Sequence, residues 1–223
     1  MPTVAPRGLT VNPMSASASI VVRRTLIAVV ALGLLLFIGR NKLADAPELP
    51  VINSVPAFEF TDQAGAAYAS TDLEGKVWLA SLLYTTCPGP CPRLVSQLGR
   101  LMKSWKKHDQ LRFVSFTVDP SRDSPGVLSD YAAAHDIDTT RWALLTADKT
   151  GLYPFIRQAF LVEAATEITD LDDDEVDLLG PIAHSLHVFL VDGDSRLRGI
   201  YDTTDETAMR RLKADVPLLL RNH

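Results

Sequence analysis

The only two cysteines in 223 residues stand at 87 and 91, inside Cys87-Pro88-Gly89-Pro90-Cys91-Pro92. A bridge across so short a loop removes almost no chain entropy and so adds little stability. Chemistry is the better reason for the pair. It falls where an apolar run, Val77 to Tyr84, meets a helical pattern that begins at Cys91. The unsatisfied N–H groups and dipole of a helix N-terminus lower a thiol pKa. On a helix, positions i and i+4 share a face, with Cβ atoms roughly 5–6 Å apart. That spacing suits two thiolates meeting at one metal ion, or a redox-active disulfide after modest distortion. Pro88, Pro90 and Pro92 stiffen the turn and remove three N–H donors from around the sulfurs. Burial as small hydrophobes is the bland alternative, but a Pro-rich strand-to-helix turn is a poor place for it.

Two soft thiolates favour copper(I), and an added imidazole would let the same site hold copper(II). Five histidines are available, at 108, 135, 184, 187 and 223. His108 ends a charged helix tail, His223 ends the chain, and His135 follows an Ala-rich helix end. His184 and His187 flank the start of an apolar strand. Three apart, they point to opposite faces of a regular strand, so only one can aim at the cysteines. Asp119 and Asp123 follow another apolar run, with Arg122 available to neutralise them. Asp123 precedes Ser124-Pro125 and is placed to assist a helix cap or its dipole. Acids at 170, 172, 173, 174, 175 and 177 form a block that reads as a solvated loop. Lying just before His184, it could also steer a cationic partner.

Alternating strands and helices must position these groups. Phe58 to Thr61 and the stretch around Tyr68 read as a hairpin about Asp62-Gln63-Ala64-Gly65. Val77–Tyr84 and Phe113–Val118 read as strands buried on both faces. The helix from Cys91 to Lys107 carries Leu94, Leu98, Leu101, Met102 and Trp105 along one side. Ser124 caps a helix with Pro125 at its first position, running towards His135. Trp142 to Leu145 is a third strand. Lys149 to Phe160 is helical, with Pro154 marking a start or a kink. Leu186 to Val191 turns through Asp192-Gly193-Asp194 into Leu197 to Tyr201. A last helix, Asp205 to Arg221, is expected to bend or break at Pro217. This order predicts an α/β sandwich.

Composition is globular, with 47% hydrophobic and 22% charged residues. A net charge of −5 argues against nucleic acid, which calls for a basic patch. Residues 1–24 read as a disordered tail, 25–39 as a membrane anchor or signal h-region, 40–56 as a linker and 57–223 as one domain. The uncharged run from Thr25 to Gly39 spans only about 22 Å at ~1.5 Å per residue, less than the hydrocarbon core. Arg24 and Arg40 can snorkel to lengthen it. A cleaved signal peptide is the competing reading, with Ala44-Asp45-Ala46 as its small-x-small site. Either way the domain is exported to an oxidising compartment.

Three stretches together resemble the SCO/SenC family. They are Tyr84-Thr85-Thr86-Cys87-Pro88-Gly89-Pro90-Cys91-Pro92, Val118-Asp119-Pro120-Ser121-Arg122-Asp123-Ser124-Pro125, and His184-Ser185 ahead of Val188-Phe189-Leu190-Val191-Asp192. The resemblance spans about residues 55 to 220. It implies a thioredoxin-like three-layer sandwich with a central mixed sheet, preceded by an N-terminal transmembrane helix. It implies a copper metallochaperone rather than an enzyme, with copper held by Cys87, Cys91 and His184, and with Cys87 and Cys91 able to form a redox-active disulfide. Ala183 stands where the family commonly has Asp, which keeps His187 as a fallback ligand. Asp119 and Asp123 would lie near the metal or on a docking face, Asp123 not as a ligand. The implied client is the copper-binding subunit of cytochrome c oxidase, at its copper A site. A thiol reductant or another copper chaperone would be the supplier. The implied location is the inner membrane, single-pass, with the C-terminal domain in the periplasm. The alternatives are a thiol–disulfide reductase serving the oxidase subunit and, last, a Cys₂His zinc site. The three-residue spacer departs from the ordinary thioredoxin-type motif. Ala80 and Tyr84 replace the Pro and Thr of the peroxiredoxin pattern.

Overall fold

The computed structural model describes residues 23–34, 36, 48–162 and 186–221. Two compact units divide the chain, Met1–Pro47 and Glu48–His223. In the first, residues 23–34 and 36 are helical and exposed, Leu26, Val30 and Leu34 among them. Among the described residues no helix is long and apolar enough to cross a membrane.

The second unit is a mixed sheet covered by helices on both faces. Its strands are β1 (Asn53–Ser54), β2 (Glu59–Asp62), β3 (Ala67–Ala69), β4 (Val77–Leu83), β5 (Leu111–Thr117), β6 (Trp142–Thr146), β7 (His187–Val191) and β8 (Arg196–Asp202). The helices are α1 (Pro90–Ser104), α2 (Pro125–Ala134), α3 (Lys149–Phe160) and α4 (Glu206–Leu220). In space the strands run β1-β8-β7-β4-β5-β6-β2-β3. β4, β5 and β6 are parallel, while β7 runs antiparallel to β4. The sheet thus grows in opposite directions from β4. The C-terminal end of β4 faces the start of β7, as the pairing of Ser81 with Val188 shows. This end of β4 is where open α/β sheets gather their ligands.

Every residue of β4 is buried, which is why it reads as a continuous apolar run. Period-two alternation divides the core. Leu79, Leu83, Val188 and Leu190 pack with α1, α2 and α4, together with Cys87 and Cys91. Trp78, Ala80, Phe189 and Val191 pack with α3. Phe58, Phe60, Phe116, Phe155 and Phe160 form a ring cluster on that second side, with centroids about 5–6 Å apart as aromatic edges and faces prefer.

Several elements depart from the sequence reading. The segment expected as a linker is partly structure. β1 pairs with β8 through Asn53 and Leu197, Val55 is buried, and Arg198 donates from Nε to the carbonyls of Leu49 and Pro50 at 3.0 and 3.2 Å. The compact unit therefore begins at Glu48 rather than at 57. Pro154 does not start α3, because Asp148 caps it, accepting from Gly151 N–H at 3.0 Å. Pro217 does not interrupt α4, since Leu212, Val216 and Leu219 hold both sides of it against the core.

Candidate metal centre

Cys87 is not on a helix. After β4 the chain turns through Tyr84, Thr85 and Thr86, and Cys87 N–H donates back to the Tyr84 carbonyl at 3.4 Å. α1 then starts at Pro90, and Cys91 lies in its first turn. The i,i+4 helical face expected from the spacing is replaced by a turn folded over a helix N-terminus. The result is still a close pair, because Cys91 N–H points at Cys87 Sγ, 3.4 Å away. So the prolines thin the donors around the sulfurs without stripping them. Both thiols are free and buried.

The two thiols differ. Burial pushes the Cys87 thiol up, but the N–H groups of Gly89 and Cys91, the Cys91 thiol and the Tyr84 side chain outweigh it, leaving the pKa below the ordinary thiol value. At Cys91 burial dominates, and with neighbouring Cys87 and Asp123 it pushes the thiol up to about 12. Cys87 is therefore the readier thiolate, and the charge of Cys91 needs a compensating cation.

Asp123 braces this turn, a role the sequence reading missed. It is fully buried. Thr85 N–H donates to its Oδ2 at 3.2 Å and Thr85 Oγ1 to its Oδ1 at 2.5 Å. Thr117 Oγ1, at the end of β5, donates to its Oδ2 at 2.5 Å. The carboxylate thereby ties the residues just before Cys87 to the neighbouring strand. Burial raises its pKa, with the threonine hydrogen bonds pulling the other way. Ser124, not Asp123, caps α2 by accepting from Val127 N–H. Asp119 is also buried, and Arg122 Nη1 meets its Oδ2 at 3.0 Å, the neutralisation expected of that arginine. A carboxylate at each of 119 and 123 was legible in the sequence, but the threonine partners that give Asp123 its place were not.

His187 starts β7 at the same end of the sheet as the cysteines. Its ring lies on the Phe189 side, centroids 6.5 Å apart, so its face is that of α3 and not that of the cysteines. It pairs across the ladder with Asp202, whose pKa is lowered mainly by the Thr204 hydroxyl and N–H and in part by His187. That placement disfavours His187 as a ligand. His184 and the acidic block from Asp170 to Asp177 lie outside the described residues. Among the described residues no cluster of three or more His, Cys, Asp or Glu side chains forms a metal cage. Among the described residues, the two sulfurs of Cys87 and Cys91 are the groups here that could hold a soft metal ion.

The comparisons with known proteins agree with one another. Residues 48–216 match the SCO1/SenC family. A SCO1 protein homolog of Bacillus subtilis (strain 168) is 27% identical over 169 residues, covering 75% of this chain and 83% of its own. A Stutzerimonas stutzeri protein with a copper-binding name is 27% identical over 169 residues, covering 74% of this chain and 78% of its own. The structure of BsSco, reported with a disulfide switch as a member of the Sco family of cytochrome c oxidase assembly proteins, covers 78% of this chain and 98% of its own, with TM-score 0.65 and 25% identity. With its mixed sheet, its dithiol turn and residues 48–216 all in agreement, this chain belongs to the SCO1/SenC family.

Proposed function

We propose that this protein binds copper through Cys87, Cys91 and His184 and delivers it to the copper-binding subunit of cytochrome c oxidase. The observation that carries the reading is the closeness of two buried free cysteines at the N-terminus of α1, where the Cys91 backbone N–H donates to Cys87 Sγ at 3.4 Å. Soft sulfur donors select copper(I) over harder cations. The copper-binding name of the Stutzerimonas stutzeri relative and the oxidase-assembly description of BsSco support the same reading. For the third ligand, the support is the place of His184-Ser185 just ahead of the β7 sequence, inside the stretch matched by the SCO1/SenC family. Metal uptake displaces thiol protons and so weakens as pH falls. Thiol–disulfide exchange with an external disulfide, which takes up the two electrons and two protons and is itself reduced to a dithiol, would join Cys87 to Cys91 and remove both sulfur ligands. Residues 25–39 anchor the domain to the inner membrane with its C-terminal domain in the periplasm. A thiol reductant or another copper chaperone prepares the site.

The test is anaerobic addition of copper to the reduced protein, with bound metal counted in the wild type and in His184→Ala. The reading predicts one tightly held copper in the wild type and weaker retention in the variant. Equal affinity in both would remove His184 from the site.

The inequality of the two thiols favours a second reading. A lowered Cys87 thiol beside a raised Cys91 thiol is the division between attacking and resolving sulfurs that a thiol–disulfide reductase of the oxidase subunit needs. Rapid turnover of a client disulfide without copper retention would establish that activity instead.

A further inference from the structure

A cleft of about 330 Å³ opens at the end of the parallel strands opposite the cysteines. Tyr68, Lys76, Arg112 and Arg141 line it, and Asp72 is the one acid on its walls. Lys76 stands just before β4 and Arg112 near the start of β5. Phe113 faces Trp142 across the β5–β6 ladder, so Arg112 and Arg141 stand side by side one step earlier. Like charges opposite each other on neighbouring strands are destabilising. The two guanidiniums also converge on a single carbonyl, since Arg112 Nη1 and Arg141 Nη2 both donate to Leu111 O, at 3.0 and 3.4 Å. Lys76 Nζ donates to the Asp72 carbonyl at 2.7 Å. All three cations are half-buried. Among the described residues none of the three has an ion pair. The carboxylate of Asp72 is turned to the backbone, its Oδ2 accepting from Ala69 N–H at 2.8 Å. In a chain of net charge −5, this gathering of unpaired positive charge is no reflection of overall composition.

On each guanidinium the hydrogen bonds engage one nitrogen. Arg112 uses Nη1, which also reaches the Asp109 carbonyl at 2.6 Å. Arg141 uses Nη2, which also reaches the carbonyls of His108 at 2.9 Å and Trp105 at 3.4 Å. These bonds fix both groups in place, and Arg141 Nε is buried with no partner among the described residues. Tyr68 adds a hydroxyl that burial keeps protonated, its pKa raised to about 12. Guanidiniums match the oxygens of carboxylates and phosphates by forked, charge-assisted hydrogen bonds. Concave walls of low dielectric concentrate the field of such charges on whatever enters. Three cations against one acid call for more than a single negative charge, and a phosphate monoester brings up to two, with three terminal oxygens to share among three cations. The cleft is larger than a bare oxyanion and leaves room for the organic part of the ester. We propose that the cleft between Lys76, Arg112 and Arg141 is a binding site for the phosphate group of a small phosphate monoester. It lies away from the dithiol turn and does not depend on the reading of Cys87 and Cys91 as metal ligands.

Glycerol 3-phosphate is the probe, titrated calorimetrically into the full chain at low ionic strength. The wild type should bind it at millimolar concentration or below. Arg112→Gln and Lys76→Gln each remove one charged donor and should weaken binding roughly tenfold. Lys213→Gln, which removes an exposed charge on α4 outside the cleft, should leave binding unchanged. The probe should also raise the urea midpoint of the wild type by mass action and leave that of Arg112→Gln unmoved. The two cleft substitutions are read separately, so a loss of fold in one leaves the other to decide. Vesicles of phosphatidylcholine with and without phosphatidic acid distinguish the source of the phosphate. Binding to the acidic vesicles beyond that to the neutral ones, lost in Arg112→Gln and seen without binding of the free probe, would support the same site with a lipid headgroup as its ligand. No binding of the free probe and no excess binding to the acidic vesicles would overturn the proposal. Equal weakening in Lys213→Gln and Arg112→Gln would also overturn it, because the attraction would then belong to net charge and not to the cleft.

Discussion

At the scale of single residues the site is built from unequal thiols and a buried carboxylate. Cys87 is lowered and Cys91 raised to about 12 by the same turn, one collecting N–H donors and the other losing solvent. Alkylation by iodoacetamide in the metal-free, reduced protein should therefore label Cys87 before Cys91, with the Cys87 rate levelling off below the ordinary thiol pKa as pH rises. Peptide mapping by mass spectrometry checks the order, and labelling of Cys91 first would contradict it. Asp123 carries the second prediction. Asp123→Ala leaves the Thr85 N–H and the Thr117 hydroxyl without their acceptor in the interior, at about 1–3 kcal/mol for a buried unpaired group. It should also loosen the turn ahead of Cys87 and lower copper retention. Burial raises the Asp123 pKa above its unfolded value of 3.8. Its contribution to stability is therefore fully present below that value and lost as pH rises through the native one. The isosteric Asp123→Asn should lack that part of the pH dependence. Urea midpoints between acid and neutral pH would show it, and parallel curves for the two proteins would contradict the assignment.

At the scale of elements, a hydrogen bond from strand β8 to α4 adds to the apolar packing of that helix. Tyr201 Oη donates to Asp215 Oδ2 at 2.8 Å, and the Tyr201 ring lies over Gly199, where an added Cβ would sit 2.2 Å from Oη. Gly199→Ala should displace that ring and cost about 1–3 kcal/mol as overpacking does. An unchanged urea midpoint would contradict this account of the glycine. The buried strands were legible because β4, β5 and β6 are covered on both faces and are written as mostly apolar runs broken only by a few polar residues such as Ser81 and Ser115. β1 was not legible. Its two residues, Asn53 and Ser54, have no strand character of their own and are recruited by β8. The helix over Lys149–Phe160 was legible, while Pro154 does not start it and Pro217 does not break the last helix, because a cap at Asp148 and core contacts around Val216 outweigh one missing hydrogen bond each. The dithiol itself was plain from Cys87 and Cys91. Its bracing was not, because Thr85, Thr117 and Asp123 meet only after β4 and β5 pair.

For the molecule as a whole, the position of Arg198 makes the domain boundary a physical matter. This buried arginine meets Asp192 at 2.6 Å and also donates to the carbonyls of Leu49 and Pro50. A chain starting at residue 48 should unfold cooperatively as the full domain does. One starting at 57 loses β1 and those carbonyls, and should be less stable by about 2 kcal/mol or more. Equal urea midpoints would return residues 48–56 to the role of a tether. The family to which the chain belongs, the turn that closes two thiols on each other and the inequality of those thiols all bear on one question, whether both sulfurs hold one metal. X-ray absorption of the copper(I)-loaded, reduced protein answers it most directly. Two sulfur scatterers at about 2.3 Å, by analogy with zinc–thiolate bonds, are predicted, with one of them lost in Cys91→Ser; a wild-type spectrum with no sulfur or one sulfur on the metal would contradict the shared site.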